Sequence, residues 1–367
     1  MRERFVVHWM VVGIALIWPS QGSGQIEGMS SQELYDAACA MCHGVDGTGV
    51  DASRVAFTIA TPDFADCSFS SREPDFDWIA VAHQGGPVRG FDETMPAFGD
   101  SFDETQLQRI IDYIRGFCND DRWPRGELNL PRPLITEKAY PEDELVFTTI
   151  ADVDAPGRVL GVLVYENRFG AENQLEVKVP VGASASSNPA EGWSGGLGDV
   201  EVGLKRAMLH SLTSILSLGF DVLLPVGDET KNLGKGTTLL EPYIAYGQVL
   251  PAGFFLHAQG KVEFSTKTSA ADHEASLGAV LGWSWGQGRW GRTWSPMVEV
   301  LAKRDIVSGA STQWEIVPQM QVTLNTRQHV MLNIGFGLPV TDAGVRSSRL
   351  VAYLLWDWFD GGFFDGW

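Results

Sequence analysis

From Glu144 onward the chain alternates apolar and polar residues with a period of two, in segments of about ten residues. In 253–265, Phe254, Leu256, Ala258, Gly260, Val262 and Phe264 fall on one side. His257, Gln259, Lys261, Glu263 and Ser265 fall on the other, with Phe255 out of pattern. In 313–325, Trp314, Ile316, Met320, Val322 and Leu324 alternate with Gln313, Glu315, Gln319, Gln321, Thr323 and Asn325. Leu216, Leu218, Phe220, Val222 and Leu224 follow the same rule, as do Val200, Val202 and Leu204. Successive side chains of a strand point to opposite faces, so each segment reads as a strand with one apolar face. About twelve such segments follow one another, divided by Pro156-Gly157, Gly227-Asp228, Gly286-Gln287-Gly288 and Asp342-Ala343-Gly344. No helical period intervenes, which excludes an α/β chain.

Ten residues is about what a tilted strand needs to cross a bilayer. Two environments suit such a region: a transmembrane barrel, or a soluble sandwich or calycin-like barrel. Uniform segment length favours the membrane. So do the aromatic residues near segment ends, among them Trp193, Tyr243, Trp283, Trp285, Trp290, Trp294, Tyr353 and Trp356, and the aromatic Trp367 at the end. The expectation for 144–367 is an all-β antiparallel barrel, transmembrane and about twelve-stranded.

The other end of the sequence reads differently. Met1 to Arg4 is charged, Phe5–Trp18 is largely apolar, and small residues follow to Gly24. This is expected to be a secretory signal peptide over 1–24, the alternative being an uncleaved anchor helix. The remainder would then occupy an oxidising compartment. Residues 29–121 are expected to be all-α. Ser30-Ser31-Gln32-Glu33 and Ser101-Phe102-Asp103-Glu104 read as capping boxes, and Leu107, Ile110, Ile111, Ile114 and Phe117 recur at helical spacing. The stretch between them is broken by Gly and Pro and reads as mostly loop. Residues 122–143, with Pro124, Pro131, Pro133 and Pro141, read as a semi-rigid linker.

Cys39-Ala40-Met41-Cys42-His43 is a C-x-x-C-H sequence. Two thiols three residues apart on one helical turn can reach both vinyl groups of one porphyrin, and the adjacent imidazole falls under the iron. A thioredoxin-like pair would need a βαβ context, and a zinc site would need a second Cys/His pair nearby. One covalent haem c is therefore expected. Met95, in Thr94-Met95-Pro96, is the candidate distal ligand; His83 and an open site are the alternatives. Cys67 and Cys118 are either a disulfide or two buried thiols.

The haem motif, the Met95-Pro96 loop and a last helix with Leu107, Ile111, Tyr113 and Ile114 together resemble the class I cytochrome c family over 29–121. The resemblance implies His43 as proximal ligand, Met95 as distal ligand and a proline carbonyl, here that of Pro62, orienting the proximal imidazole. Gly195-Gly196-Leu197-Gly198-Asp199-Val200-Glu201-Val202-Gly203-Leu204-Lys205, Leu224-Pro225-Val226-Gly227-Asp228 and Gly234-Lys235-Gly236-Thr237-Thr238 resemble outer-membrane barrels of the phenol-degradation type. The tail Gly361–Trp367 does not alternate as a closing strand does.

The combination is similar to the porin–cytochrome fusions of iron-oxidising bacteria. A domain of the haem segment's size is about 30 Å across, and a twelve-stranded barrel has a lumen of about 15 Å. The domain is therefore expected at the periplasmic mouth, on its Pro-rich tether. Of the chain's net charge of −19, a net −12 lies in 29–121. That argues against nucleic acid and for a basic periplasmic redox partner, with outer-membrane lipid around the barrel. The expected role is one-electron transfer rather than substrate conversion. The alternatives are a porin-like channel with accessory haem, and a cell-surface oxidoreductase for Fe(II) or another donor.

Overall fold

The computed structural model describes residues 28–358, apart from 52, 54–60, 155–156, 186–191, 232 and 344; the leader 1–24 and the tail 361–367 lie outside the described residues. Among the described residues, fourteen strands follow the helical region. They are β1 (Glu144–Asp152), β2 (Arg158–Phe169), β3 (Asn173–Ala185), β4 (Trp193–Leu197), β5 (Val200–His210), β6 (Ser214–Leu224) and β7 (Leu239–Val249), then β8 (Phe254–Ser265), β9 (Glu274–Trp283), β10 (Trp285–Gly286), β11 (Thr293–Asp305), β12 (Gln313–Thr323), β13 (Val330–Pro339) and β14 (Arg349–Asp357). Twelve are long; β4 and β10 are short additions beside β3 and β11. Every pairing is antiparallel. The sheet closes on itself because β1 pairs with both β2 and β14, Glu144 facing Asp357 in one ladder and Glu166 in the other.

The barrel is inverted relative to a soluble one. In β6, Leu218 and Phe220 point outward and are about half exposed, whereas Ser217 and Asp221 point inward and are buried. In β9, Leu277 and Leu281 are 64% and 53% exposed. The interior holds Glu166, Gln174, Glu176, Lys205, Glu299, Gln319 and Asn333, all buried. An apolar belt outside and polar side chains inside is the arrangement a lipid bilayer selects. Aromatic side chains border the belt at both ends: Trp283 stacks on Trp285 and Tyr165 on Trp358 at one rim, with Trp193 and Trp314 towards the other.

The segment 122–143 is not a tether in solvent. It enters the barrel and fills the lumen. The Glu299 carboxylate accepts from the backbone N–H of Leu134 (2.7 Å), Ile135 (3.1 Å) and Thr136 (3.0 Å) and from the Thr136 hydroxyl (3.0 Å). The Arg132 carbonyl accepts from Tyr353 and Asn333, the Pro131 carbonyl lies 3.1 Å from His257 Nε2, and Lys205 Nζ donates to the Lys138 carbonyl. Prolines suit this path, because each removes one N–H that the lumen would otherwise have to satisfy.

Apolar side chains dock as well. Leu134 packs with Val146, Val164, Val317 and Val351, and Leu130 with Phe255, Val280 and Met297. Phe255 breaks the polar-inward rule of β8 because it meets this plug. A Cβ at Gly335 would fall 2.6 Å from Leu134 Cδ1, and one at Gly278 would fall 2.5 Å from Thr136 Oγ1. The wall is thinned to backbone where the plug approaches closest.

The N-terminal region forms α1 (Ser31–Ala38), α2 (Ala40–His43), α3 (Cys67–Ser70), α4 (Asp75–Gln84) and α5 (Glu104–Arg115). The Ser30/Glu33 capping box is present on α1. The second box is Asp103 with Gln106, two residues later than the Ser101 start, because the Asp103 carboxylate takes the Gln106 N–H and Gln106 answers with its amide oxygen. The stretch expected to be mostly loop contains the ten-residue α4. Its run Trp78-Ile79-Ala80-Val81-Ala82 is apolar on every side, so no helical period showed. The core joins Leu34, Tyr35, Phe64, Leu107, Ile110, Ile111 and Ile114.

Candidate haem site and its seat on the barrel

The C-x-x-C-H sequence lies where α1 ends and α2 begins. Cys42 and His43 both donate their backbone N–H to the Cys39 carbonyl, at 3.1 and 2.9 Å, so both thiols and the imidazole belong to one turn. Cys39 and Cys42 are unbridged, whereas Cys67 and Cys118 form a disulfide. Burial pushes the Cys39 thiol up to about 12, with Cys42 adding to it, and burial pulls the His43 imidazole down to about 4. The ring is therefore neutral at ordinary pH, the form that binds a metal. It stacks on Phe64, with centroids 4.7 Å apart.

Among the described residues the buried His43 Nδ1 has no hydrogen-bond partner, so the Pro62 carbonyl does not serve it. Tyr35 supports the turn instead, donating its hydroxyl to the Gly44 carbonyl at 2.6 Å. Met41, between the two cysteines, points to solvent, 82% exposed. Two unbridged thiols and a neutral imidazole on one turn, against an apolar core, are the donor set a covalently held haem requires.

Met95 lies in the loop between α4 and α5. Its carbonyl accepts from Gly86 N–H, and the loop is pinned along α4 by Phe98 N–H to Ala82 O (2.9 Å) and Gly99 N–H to His83 O (3.0 Å). Phe98 and Ala82 pack against the same cluster as Phe64, so the Met95 loop and His43 flank one apolar core. His83 is directed elsewhere. Its Nδ1 is 2.6 Å from Gln84 Nε2, and its ring lies 5.6 Å from that of Trp290 on the barrel.

Trp290 is the main foothold between the two parts. Phe76 packs 5.2 Å from its ring, and Arg89, paired with Asp77 at 2.6 Å, donates to its carbonyl at 2.7 Å. Arg327 lies over Phe91, Glu73 meets His329 Nε2 at 3.0 Å, Glu104 pairs with Arg289, and Arg72 pairs with Asp143 where the plug joins β1. None of these contacts was legible in the sequence. Trp290 read there as one of many rim aromatics.

Fold and site together define a membrane β-barrel preceded by a cytochrome c domain. Residues 27–114 match the family described as "Cytochrome C oxidase, cbb3-type, subunit III", a domain that implies a haem. The chain belongs to the family described as "Putative MetA-pathway of phenol degradation", which matches residues 160–346, just over half of its length. Similar solved structures include an outer-membrane channel from Pseudomonas putida F1 (15% identity, 62% of this chain and 100% of that one, TM-score 0.44). The KdgM porin (10%, 59% and 99%, 0.41) and the NanC porin (9%, 58% and 99%, 0.42) are similar too. No curated protein matches the sequence.

Proposed function

We propose that the chain is an outer-membrane electron-transfer protein: one haem c, bonded to Cys39 and Cys42 and ligated by His43 and Met95, exchanges single electrons at the periplasmic mouth of a plugged barrel. The observation that carries this reading is the Cys39–His43 turn, with its two unbridged thiols and buried neutral imidazole on the core that also seats the Met95 loop. The bound group would supply a one-electron Fe(III)/Fe(II) couple. The protein's part is to hold the imidazole by stacking on Phe64, to fix the turn through Tyr35, and to keep water from the apolar side.

The orientation rests on the connections between strands. On the haem-bearing side 170–172, 211–213, 250–253 and 324–329 are short, and the longer 284–292 carries Trp290, on which the haem domain rests. On the other side lie the longer connections 225–238, 266–273 and 340–348. Barrels of the outer membrane keep short turns in the periplasm and longer loops outside. The leader over 1–24 would direct export, and the acidic haem domain would dock a basic redox partner in a salt-sensitive encounter.

The plug speaks against a standing channel, since its backbone is bonded to the walls through Glu299, Tyr353, Asn333 and Lys205. The test is electron transfer from reduced protein in detergent to a basic soluble cytochrome, followed by stopped-flow absorbance across a range of salt. Exchange that slows as salt rises supports the reading. Redox-silent protein, or protein without haem, overturns it.

A further inference from the structure

On the inner wall, adjacent strands bring carboxylates into one row. Glu144 faces Glu166, Glu166 faces Glu176, Glu176 faces Gly203, Gly203 faces Asp221, and Asp221 faces Glu241. Lys178 lies amid the row's centre, paired with Glu137 (2.7 Å), Glu176 (2.8 Å) and Glu201 (3.0 Å). This ammonium pairs directly with three carboxylates, and a fourth, Asp221, lies beside them; Lys261, paired with Glu241 at 2.6 Å, faces Glu201 and Asp221 from further off, and Arg132 and Lys205 face Glu137. Asp221 is 1% exposed, yet among the described residues its Oδ1 has no hydrogen-bond partner. It leans into the space left by Gly203, where a Cβ would fall 2.1 Å from that oxygen. A buried carboxylate without donors is costly, and so is an excess of buried negative charge.

We infer that Glu176, Glu201 and Asp221 form a binding site for one calcium-sized hard divalent cation in the barrel wall. One oxygen from each lies within 4.8 Å of the others. Calcium takes oxygen ligands at about 2.4 Å in flexible geometry, which three inward carboxylates and water can supply once the Lys178 ammonium turns aside, whereas magnesium demands a near-ideal octahedron and gives up its water reluctantly. Carboxylates without thiols or imidazoles select a hard ion. Glu201 keeps 13% side-chain exposure, which leaves an edge for water ligands and for entry. The site is independent of the haem and of the electron-transfer reading.

The experiment is calorimetric titration of calcium into the full haem-bearing protein in detergent, after treatment with EDTA and dialysis, with magnesium as the comparison. Wild type should bind one calcium per chain, at least about tenfold more tightly than magnesium. Asp221→Asn should weaken calcium at least about tenfold while leaving the Soret band unchanged. Gly203→Ala, which displaces the Asp221 carboxylate from another strand, should do the same. Glu93→Gln, on the exposed surface, should bind as wild type does. Wild type with no stoichiometric calcium binding overturns the inference without recourse to any variant. So does equal affinity in wild type and Asp221→Asn, which would place the bound calcium elsewhere on the protein.

Discussion

Glu299 is fully buried on β11, and its carboxylate is the anchor of the plug: three consecutive backbone amides, the Thr136 hydroxyl and the Gln319 amide all donate to it. Glu299→Ala leaves three plug donors, Ile135 N–H, Thr136 N–H and the Thr136 hydroxyl, without an acceptor, while Leu134 N–H keeps its second bond, to Gln319 Oε1 at 3.1 Å. A buried donor left unmet costs about 1–3 kcal/mol. Water entering the vacated space recovers part of this, so the low end applies, and three donors at about 1 kcal/mol each give about 3 kcal/mol. That is a rise of about a hundredfold or a little more in the fraction of time the 134–136 turn is undocked. Hydrogen exchange of a peptide spanning 130–138, measured by mass spectrometry on the protein in detergent, reads those amides directly. Exchange should accelerate by about two orders of magnitude, and brief conductance events should appear in planar bilayers where wild type stays closed. Glu299→Gln keeps an acceptor for two of the amides and should fall between. Exchange in Glu299→Ala within tenfold of wild type would refute the argument that this carboxylate holds the plug.

Other outcomes follow from the haem domain. Met95→Ala should abolish the methionine–iron charge-transfer band and admit carbon monoxide to the reduced protein, while Met95→His should retain six-coordination at a lower potential, read by redox titration. Arg89, almost fully buried between Asp77 and the Trp290 carbonyl, should on replacement by Ala cost about 3 kcal/mol of docking, because a buried pair is broken. Faster hydrogen exchange at Trp290 with an unchanged Soret spectrum is the readout. Burial would raise the Asp75 carboxyl, but Arg115, Arg125 and Gln108 outweigh it and hold it below its usual value. Its contribution is therefore complete above about pH 4, the unfolded value. It is lost as pH falls through the lower folded value. Thermal unfolding followed at the Soret band should show that acid limb, and Asp75→Asn should flatten it.

The alternation of β6, β8 and β12 was enough to specify strands, their number and the outward face, because a period of two survives any register. The C-x-x-C-H turn was equally plain, since its chemistry is local. The plug was not. Leu128, Leu130 and Leu134 sit among prolines in a segment with no period, and their partners, Phe255, Val280 and Val317, are inward apolar residues scattered over distant strands. Only closure of the barrel brings the two sets together. Phe255 was the visible trace, an apolar residue on a polar face. The helix α4 escaped for the converse reason, its run from Trp78 to Ala82 being apolar all round. The docking of Arg89 and Phe76 on Trp290 joins residues about two hundred positions apart and leaves no local signal.

The account stands on a haem bonded to Cys39 and Cys42 in a chain that resides in the outer membrane. Intact mass spectrometry of the protein purified from that fraction, from cells with a haem-attachment pathway, tests both points in one measurement. The mass should exceed that of the polypeptide by one haem, and the Cys39→Ala, Cys42→Ala double variant should lose the increment while still reaching the membrane. A wild-type chain at the bare polypeptide mass would contradict the account.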